Sequence, residues 1–303
     1  MLTGGRVIVV GAGLSGMTCA VTLAEAGFEV QVMARDLPGE SASSIAVTPW
    51  LPPPARWGAQ GADRGRRSLA VLTELAAPPA EPAEPAAPAH HGPGDGSAGT
   101  GVVMRPGVLI SPTGAESLTV PLISPLAYLR HLRERLLAAG GSLTRLWVPA
   151  LPATGTVVNC TAVASRALAG DDLVGPRADR VVRFEASAGP RRRCWSAVPA
   201  EGLLTVRTDH HVEVSGPAGF DAGELRDLAR RHDPEALTAS AVVLGERVVV
   251  RGERERPAVR LDASGGDASG GDGGRRLVHC YGFGRYDLSV SWGCADDVVR
   301  LLV

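Results

Sequence analysis

The sequence has no hydrophobic run long enough to span a bilayer, which argues against a helical membrane protein. It has no excess charge of either sign. Its 31 Lys and Arg face 32 Asp and Glu for a net charge of −1, with no basic block, so nothing advertises nucleic acid or an anionic membrane surface. The opening "MLTGGRVIVVGAG" lacks a small-residue cleavage site and reads as a short β-rich run, not a signal peptide. A cytoplasmic location is the expectation. The five cysteines (Cys19, Cys160, Cys194, Cys280, Cys294) are odd in number and form no CxxC pair. That disfavours a disulfide framework and a zinc site, and leaves buried structural thiols. The adjacent histidines His90–His91 and His210–His211 have no partner at ligand spacing, so no metal is expected.

What remains is a globular composition, 45 % hydrophobic and 21 % charged, in a 303-residue chain long enough for one or two domains. "RVIVVGAGLSGMTCAVTLAEAGFEVQVMARD" has the order strand, glycine turn, helix, strand. Arg6–Val10 suits a buried parallel strand, Leu14–Ala26 a helix stopped by Gly27, and Phe28–Met33 the second strand. Further on, Pro125–Ala139 places Leu129, Leu132 and Leu136 on one helical face. Thr156–Ala162 reads as a strand ending in a small-residue turn. "LLTVRTDHHVEVSG" alternates as an antiparallel strand pair does, and "ERVVVRGERERPAVRLD" as a strand entering a charged turn. "LVHCYGFG" is a strand, and Leu288–Leu302 its following helix. Two runs, "APPAEPAEPAAPAHHGPGDGSAGTG" and "ASGGDASGGDGGRR", have almost nothing to bury and read as poorly ordered surface loops.

The fold class is therefore α/β: a Rossmann-like nucleotide-binding domain assembled from distant segments, with a sheet-rich domain inserted. Segments 1–54, 118–180 and 256–303 are expected in the first. Segments 55–117 and 181–255 are expected in the second, with the Pro/Ala-rich insert near 77–100.

Gly11-x-Gly13-x-x-Gly16 follows a strand and opens a helix, the context that gives this motif its meaning. Gly11 permits the tight turn, Gly13 lets backbone approach a pyrophosphate, and Gly16 allows close helix–strand packing. The flanking Ala12, Leu14 and Ser15 would present backbone N–H groups at the positive end of the helix. The second strand ends in Ala34-Arg35-Asp36. Arg35 could accept a 2′-phosphate, as in NADP, or Asp36 could reach a ribose; the loop alone does not separate NADP from FAD.

Four segments carry a further signal: the N-terminal unit, "SSIAVTPWLPP", "VVNCTAVASRALAGDDLVGP" and "HCYGFGRYDLSVSWGCA". Together with weaker echoes in "VRTDHHVEVSG" and "RPAVRLD", they resemble the D-amino acid oxidase family over nearly the whole length. The resemblance implies FAD as cofactor and a sheet-rich substrate domain. It implies hydride transfer from an amine or amino-acid-like substrate to flavin N5, with molecular oxygen as the acceptor that reoxidises the flavin. It places Ser43, Ser44, Ile45, Gly284, Arg285, Tyr286, Asp287, Leu288 and Ser289 at the cofactor. It gives Arg254 the role of clamping a substrate carboxylate, with Glu253 at that position when no gap is allowed. Tyr286 is expected to line the pocket.

Several positions depart from the family pattern. Leu203 stands where the family has a pocket tyrosine, and only Tyr128, Tyr281 and Tyr286 occur. Tyr128, on a predicted helix, is expected in the core. Thr48-Pro49 replaces a smaller pair, and Arg285 and Asp287 replace small residues. Asp287 is expected either to oppose negative charge on reduced flavin or to cap the helix beginning near Leu288. These departures point to a substrate other than a simple small D-amino acid, in a biosynthetic pathway. The alternative is a degenerate relative without oxidase activity, serving as an accessory or binding protein or in non-redox chemistry. The substrate is expected to carry an amine and a carboxylate, and the assembly is left open between monomer and homodimer.

Overall fold

A computed structural model describes residues 4–76, 99–186, 193–208, 210–264 and 275–303. The chain opens with β1 (Gly4–Val10), α1 (Leu14–Glu25) and β2 (Phe28–Ala34), the expected βαβ unit. A two-residue strand β3 (Thr48–Pro49) and helix α2 (Gly58–Leu75) follow. The hairpin β4 (Val102–Ser111) and β5 (Gly114–Ile123) leads into α3 (Pro125–Ala138), β6 (Ser142–Arg145) and β7 (Gly155–Asn159). After the short α4 (Ser165–Leu168) come β8 (Gly175–Glu185), β9 (Trp195–Val198), β10 (Leu203–Arg207) and β11 (His211–Pro217). The chain ends with α5 (Ala222–His232), β12 (Val243–Ser264), β13 (Arg275–Phe283) and α6 (Asp287–Leu302). Both proposed surface loops fall largely outside the described residues, as do His90 and His91.

The described strands form one sheet of 13, ordered β3-β5-β4-β9-β10-β11-β8-β12-β13-β7-β1-β2-β6. From β13 to β6 neighbouring strands run parallel, the arrangement that needs helical crossovers. The strands from β8 through β11 and β10 to β9 pair antiparallel. The long β12 joins the two regions, pairing antiparallel with β8 on one side and β13 on the other. The expected charged turn at 252–256 does not form. The strand instead bulges there: it pairs with β8 and β13 as far as Glu253 and resumes its ladder with β13 at Ala258, five steps along β12 against two along β13.

The main core fills the space between the parallel strands and α1, α3 and α6. Val9, Val32, Leu129, Leu132, Leu136 and Val278 are fully buried there. Tyr128 lies in this core as expected, its hydroxyl accepting a 2.9 Å hydrogen bond from Trp292 Nε1. A second cluster under α5 contains Phe184, Leu203, Val212 and Leu225.

Two features of the fold lie across the expected boundaries. A division at 118 cuts β5, which pairs with β3 and β4 in the antiparallel region. Helix α2, expected in the inserted domain, packs on α6 through Arg64 and Arg67, whose guanidinium groups both lie 2.7 Å from the Asp297 carboxylate. Its buried face is Gly61, Arg64, Gly65, Ser68 and Leu72, spaced three and four apart. Small residues and a paired arginine, not an apolar stripe, make that face. No helix among the described residues is long and apolar enough to cross a membrane.

Candidate active site

The glycine turn between β1 and α1 is built as its sequence predicts. Gly11 has φ of +110°, a conformation side chains avoid, and an added Cβ would lie 2.5 Å from the Cys160 carbonyl oxygen. A Cβ on Gly16 would lie 2.0 Å from the Gly11 carbonyl oxygen, so α1 can sit this close to the turn only with glycine there. At Gly13 the surroundings are open, and a Cβ would meet only the Ser43 hydroxyl, at 3.1 Å. Helix α1 begins without a side-chain cap on its N-cap residue and without an acidic residue in its own first turn.

Two internal acceptors lie on this helix end. The Leu14 N–H donates to Ser43 Oγ at 3.2 Å. The Asp287 carboxylate accepts from the Ser15 hydroxyl, and the Ser15 backbone favours its charged form. Asp287 is the first residue of α6, yet it does not cap that helix; it reaches across to α1. Burial pushes its carboxyl above the ordinary value, with the Ser15 hydroxyl and Arg251 opposing that shift.

A cavity opens in front of this turn, lined by Gly13, Leu14, Ser15, Ser43, Gly284, Arg285, Asp287 and Leu288. It also touches Thr48, Cys160, Val250, Arg251 and Cys280. A second cavity adjoins it, lined by Ala46, Leu51, Ala197, Leu203, Leu204, Ser215 and Tyr286. Thr48, Arg251 and Arg285 line both.

Between the cavities lies a charge cluster that the sequence reading missed. Asp179 on β8 is 1 % exposed. It accepts from Arg251 Nη1 at 3.0 Å and Arg285 Nη2 at 3.0 Å, and Arg177 Nε lies 3.5 Å away. Glu253 lies 3.5 Å from Arg177 and 3.2 Å from Arg56. Four guanidinium groups thus face two carboxylates, an excess of two positive charges. Arg177 Nε is buried without a hydrogen-bond acceptor. Burial lowers the Arg285 pKa, with Asp179 opposing the shift.

Arg254 is not part of this cluster. Its Nε donates to the buried Asp171 at 2.9 Å, and its Nη1 to the Arg256 carbonyl. Asp171 also accepts from the Tyr281 hydroxyl at 2.8 Å. Regular alternation in β12 as far as Glu253 turns Arg251 and Glu253 to the Asp179 cluster, and the bulge that begins there leaves Arg254 against Asp171. The family-derived clamp position therefore points at Asp171, and Arg251 and Arg285 line the cavities instead.

Other expected residues divide in the same way. Ser43, Gly284, Arg285, Asp287 and Leu288 come together at the first cavity, and Tyr286 lines the second. Tyr286 packs edge-on to Trp57 at 5.6 Å, and burial raises its hydroxyl pKa. Arg35 and Asp36 pair with each other, at 2.7 and 3.0 Å, rather than presenting free groups at the end of β2. Ala34 is buried, and its carbonyl oxygen accepts from Leu146. Ser44 turns its hydroxyl onto the Gly39 and Ser41 carbonyl oxygens, and the Ile45 carbonyl accepts from Arg183. Ser289 is buried, accepting from the Leu51 N–H at 3.2 Å, so it holds the segment after β3 against α6. Ala12 is buried beneath the turn.

The family model described as FAD dependent oxidoreductase matches residues 6–86. The D-amino-acid oxidase of Streptomyces coelicolor is 31 % identical over 320 residues, covering 98 % of this chain and 96 % of the relative. The chain belongs to the D-amino-acid oxidase family of FAD-dependent oxidoreductases. The D-amino-acid oxidase of Rubrobacter xylanophilus is 30 % identical over 326 residues, covering 98 % of this chain and 95 % of its own. Among solved structures, the glycine oxidase of Geobacillus kaustophilus shares the fold. Its TM-score is 0.70 at 15 % identity, over 98 % of this chain and 94 % of that one.

As a member of this family the chain is an oxidoreductase with FAD as cofactor, and its cradle fits the group. The open side of Gly13 and the uncapped start of α1 are what a pyrophosphate needs. The one departure is Asp287, a carboxylate where the helix end favours a ligand anion.

Proposed function

We propose that this enzyme oxidises an amino-acid-like substrate, an amine bearing a carboxylate, and that its carboxylate is held by Arg251 and Arg285. FAD, when bound, supplies the hydride acceptor at N5, and molecular oxygen is the final acceptor. Gly13, Leu14, Ser15 and Ser43 would hold the dinucleotide, and Gly284, Arg285 and Leu288 would line its other end. The residues of this chain bind and orient. The guanidinium groups around Asp179 attract the carboxylate and fix its direction through paired N–H donors. Leu51, Ala197, Leu203 and Leu204 give the second cavity an apolar wall that excludes water. Asp179 holds Arg251 and Arg285 in place, and the surplus charge is left for a ligand.

The observation that carries this reading is that both arginines line both cavities while sharing one buried carboxylate. The test is anaerobic bleaching of the bound flavin by a panel of D- and L-amino acids, glycine and N-substituted amines. Bleaching by a member of the panel is expected. Arg285→Leu should raise its KM at least about tenfold, equivalent to about 1.4 kcal/mol, measured on protein saturated with FAD. Unchanged KM values in Arg285→Leu and Arg251→Leu would remove the clamp.

A second reading, a relative that has given up oxidation, is favoured by one observation. The Ser15 hydroxyl, at the start of α1, is engaged by the Asp287 carboxylate. Protein that takes up no FAD on titration would support it.

A further inference from the structure

Four cysteines from four separate elements meet in the interior. Cys19 lies on α1, Cys160 directly after β7, and Cys280 on β13, and their Sγ atoms all lie within 4.8 Å of one another. Cys19 Sγ is 3.7 Å from Cys280 Sγ. Cys294 on α6 is a further neighbour of Cys280. All four are buried, and Cys194 is the half-buried exception.

The spacing has a chemical meaning. Disulfide sulfurs lie about 2 Å apart, far closer than these. A zinc–sulfur bond of about 2.3 Å places two thiolates on one ion about 3.8 Å apart in tetrahedral geometry and about 4.0 Å apart in a trigonal plane. The observed 3.7 Å falls beside those values, and the 4.8 Å limit leaves only small side-chain adjustments for the third sulfur. There is also a way in, because Cys160 and Cys280 line the larger cavity. The donors are soft, which suits d10 cations over magnesium or calcium.

We propose that Cys19, Cys160 and Cys280 form a binding site for one thiophilic d10 cation of the zinc and cadmium class. Two of the thiols give their protons to solvent, the third keeps its own, and each sulfur forms its metal bond through a lone pair. Two thiolates and one neutral thiol balance a divalent ion, the charge state that a buried site favours. Cys294 is the nearest further donor. The ion would tie α1 to β13 and to the end of β7, directly behind the glycine turn, where the Cys160 carbonyl already meets Gly11.

The test adds Cd²⁺ alone as probe to the reduced full chain before FAD is loaded and fills the cavity, followed by thiolate-to-cadmium charge-transfer absorbance and metal analysis after desalting. One ion per chain is expected, with a band amplitude matching two or three sulfurs. Cys194→Ser should leave both unchanged, and Cys19→Ala should weaken binding by more than about a hundredfold, beyond what loss of a mere supporting contact gives. Absence of the band in the wild-type protein overturns the site without reference to any variant. Cadmium retained without the band, or a band that survives in folded Cys19→Ala, places the metal elsewhere and overturns it equally.

Discussion

The Ser15 hydroxyl donates to the Asp287 carboxylate and joins the first turn of α1 to the first turn of α6, two helices separated by most of the chain. A helix N-terminus stabilises an anion whether it comes from a ligand or from the protein itself. The Asp287 carboxylate therefore places one negative charge at the helix end where the anion of a dinucleotide would lie.

Removing that charge has two separable consequences. Asp287→Asn should tighten FAD binding by about tenfold, equal to about 1.4 kcal/mol, measured by quenching of FAD fluorescence on titration of apoprotein. It should also raise stability at neutral pH. The folded carboxyl is raised above its unfolded value by burial. The cost is thus absent below the unfolded pKa and grows as pH rises through the folded one. The difference in Tm between variant and wild type should shrink towards acid pH. Equal FAD affinities in the two proteins would remove Asp287 from the cradle.

Arg254 tests the other side of β12. Burial pushes the Asp171 carboxyl up, but the Tyr281 hydroxyl and the Arg254 guanidinium outweigh it and hold the group below its ordinary value. That contribution to stability is present above the unfolded pKa and is lost as pH falls through the depressed folded value. Arg254→Leu should cost about 3 kcal/mol in urea unfolding near neutral pH, less at acid pH, and leave substrate KM unchanged. A raised KM with unchanged stability would return Arg254 to the role its sequence position implies.

Ala162 holds φ of +50°, the one non-glycine residue with positive φ among the described residues. The left-handed region costs an L side chain about 1–2 kcal/mol, and glycine gives back about 0.5–1 kcal/mol through the flexibility of the unfolded chain. Ala162→Gly should therefore stabilise the protein by about 1 kcal/mol, read as a shift in the urea midpoint at constant slope. A loss of stability would mean that its backbone is held there without strain.

Local pattern alone determined much of this molecule. The βαβ unit, the glycine turn, α3, the β10–β11 pair and the last strand and helix follow from periodicities of 2 and 3.6 and from glycine at the turns, information carried by neighbouring residues. The C-terminal motif carried the family and hence FAD. Helix α2 escaped because its buried face is glycine, serine and a paired arginine, with no apolar stripe to read. Only the tertiary structure decided which charged side chain faces the cavity. Residues 251 and 254 lie three apart, and where the register shift beside them falls is set by pairing with β13 and not by their spacing. Local pattern likewise could not bring Arg251 and Arg285 onto Asp179, or four cysteines onto one point. In each set the members come from different elements, and their distances are set by sheet order and helix packing rather than by spacing along the chain.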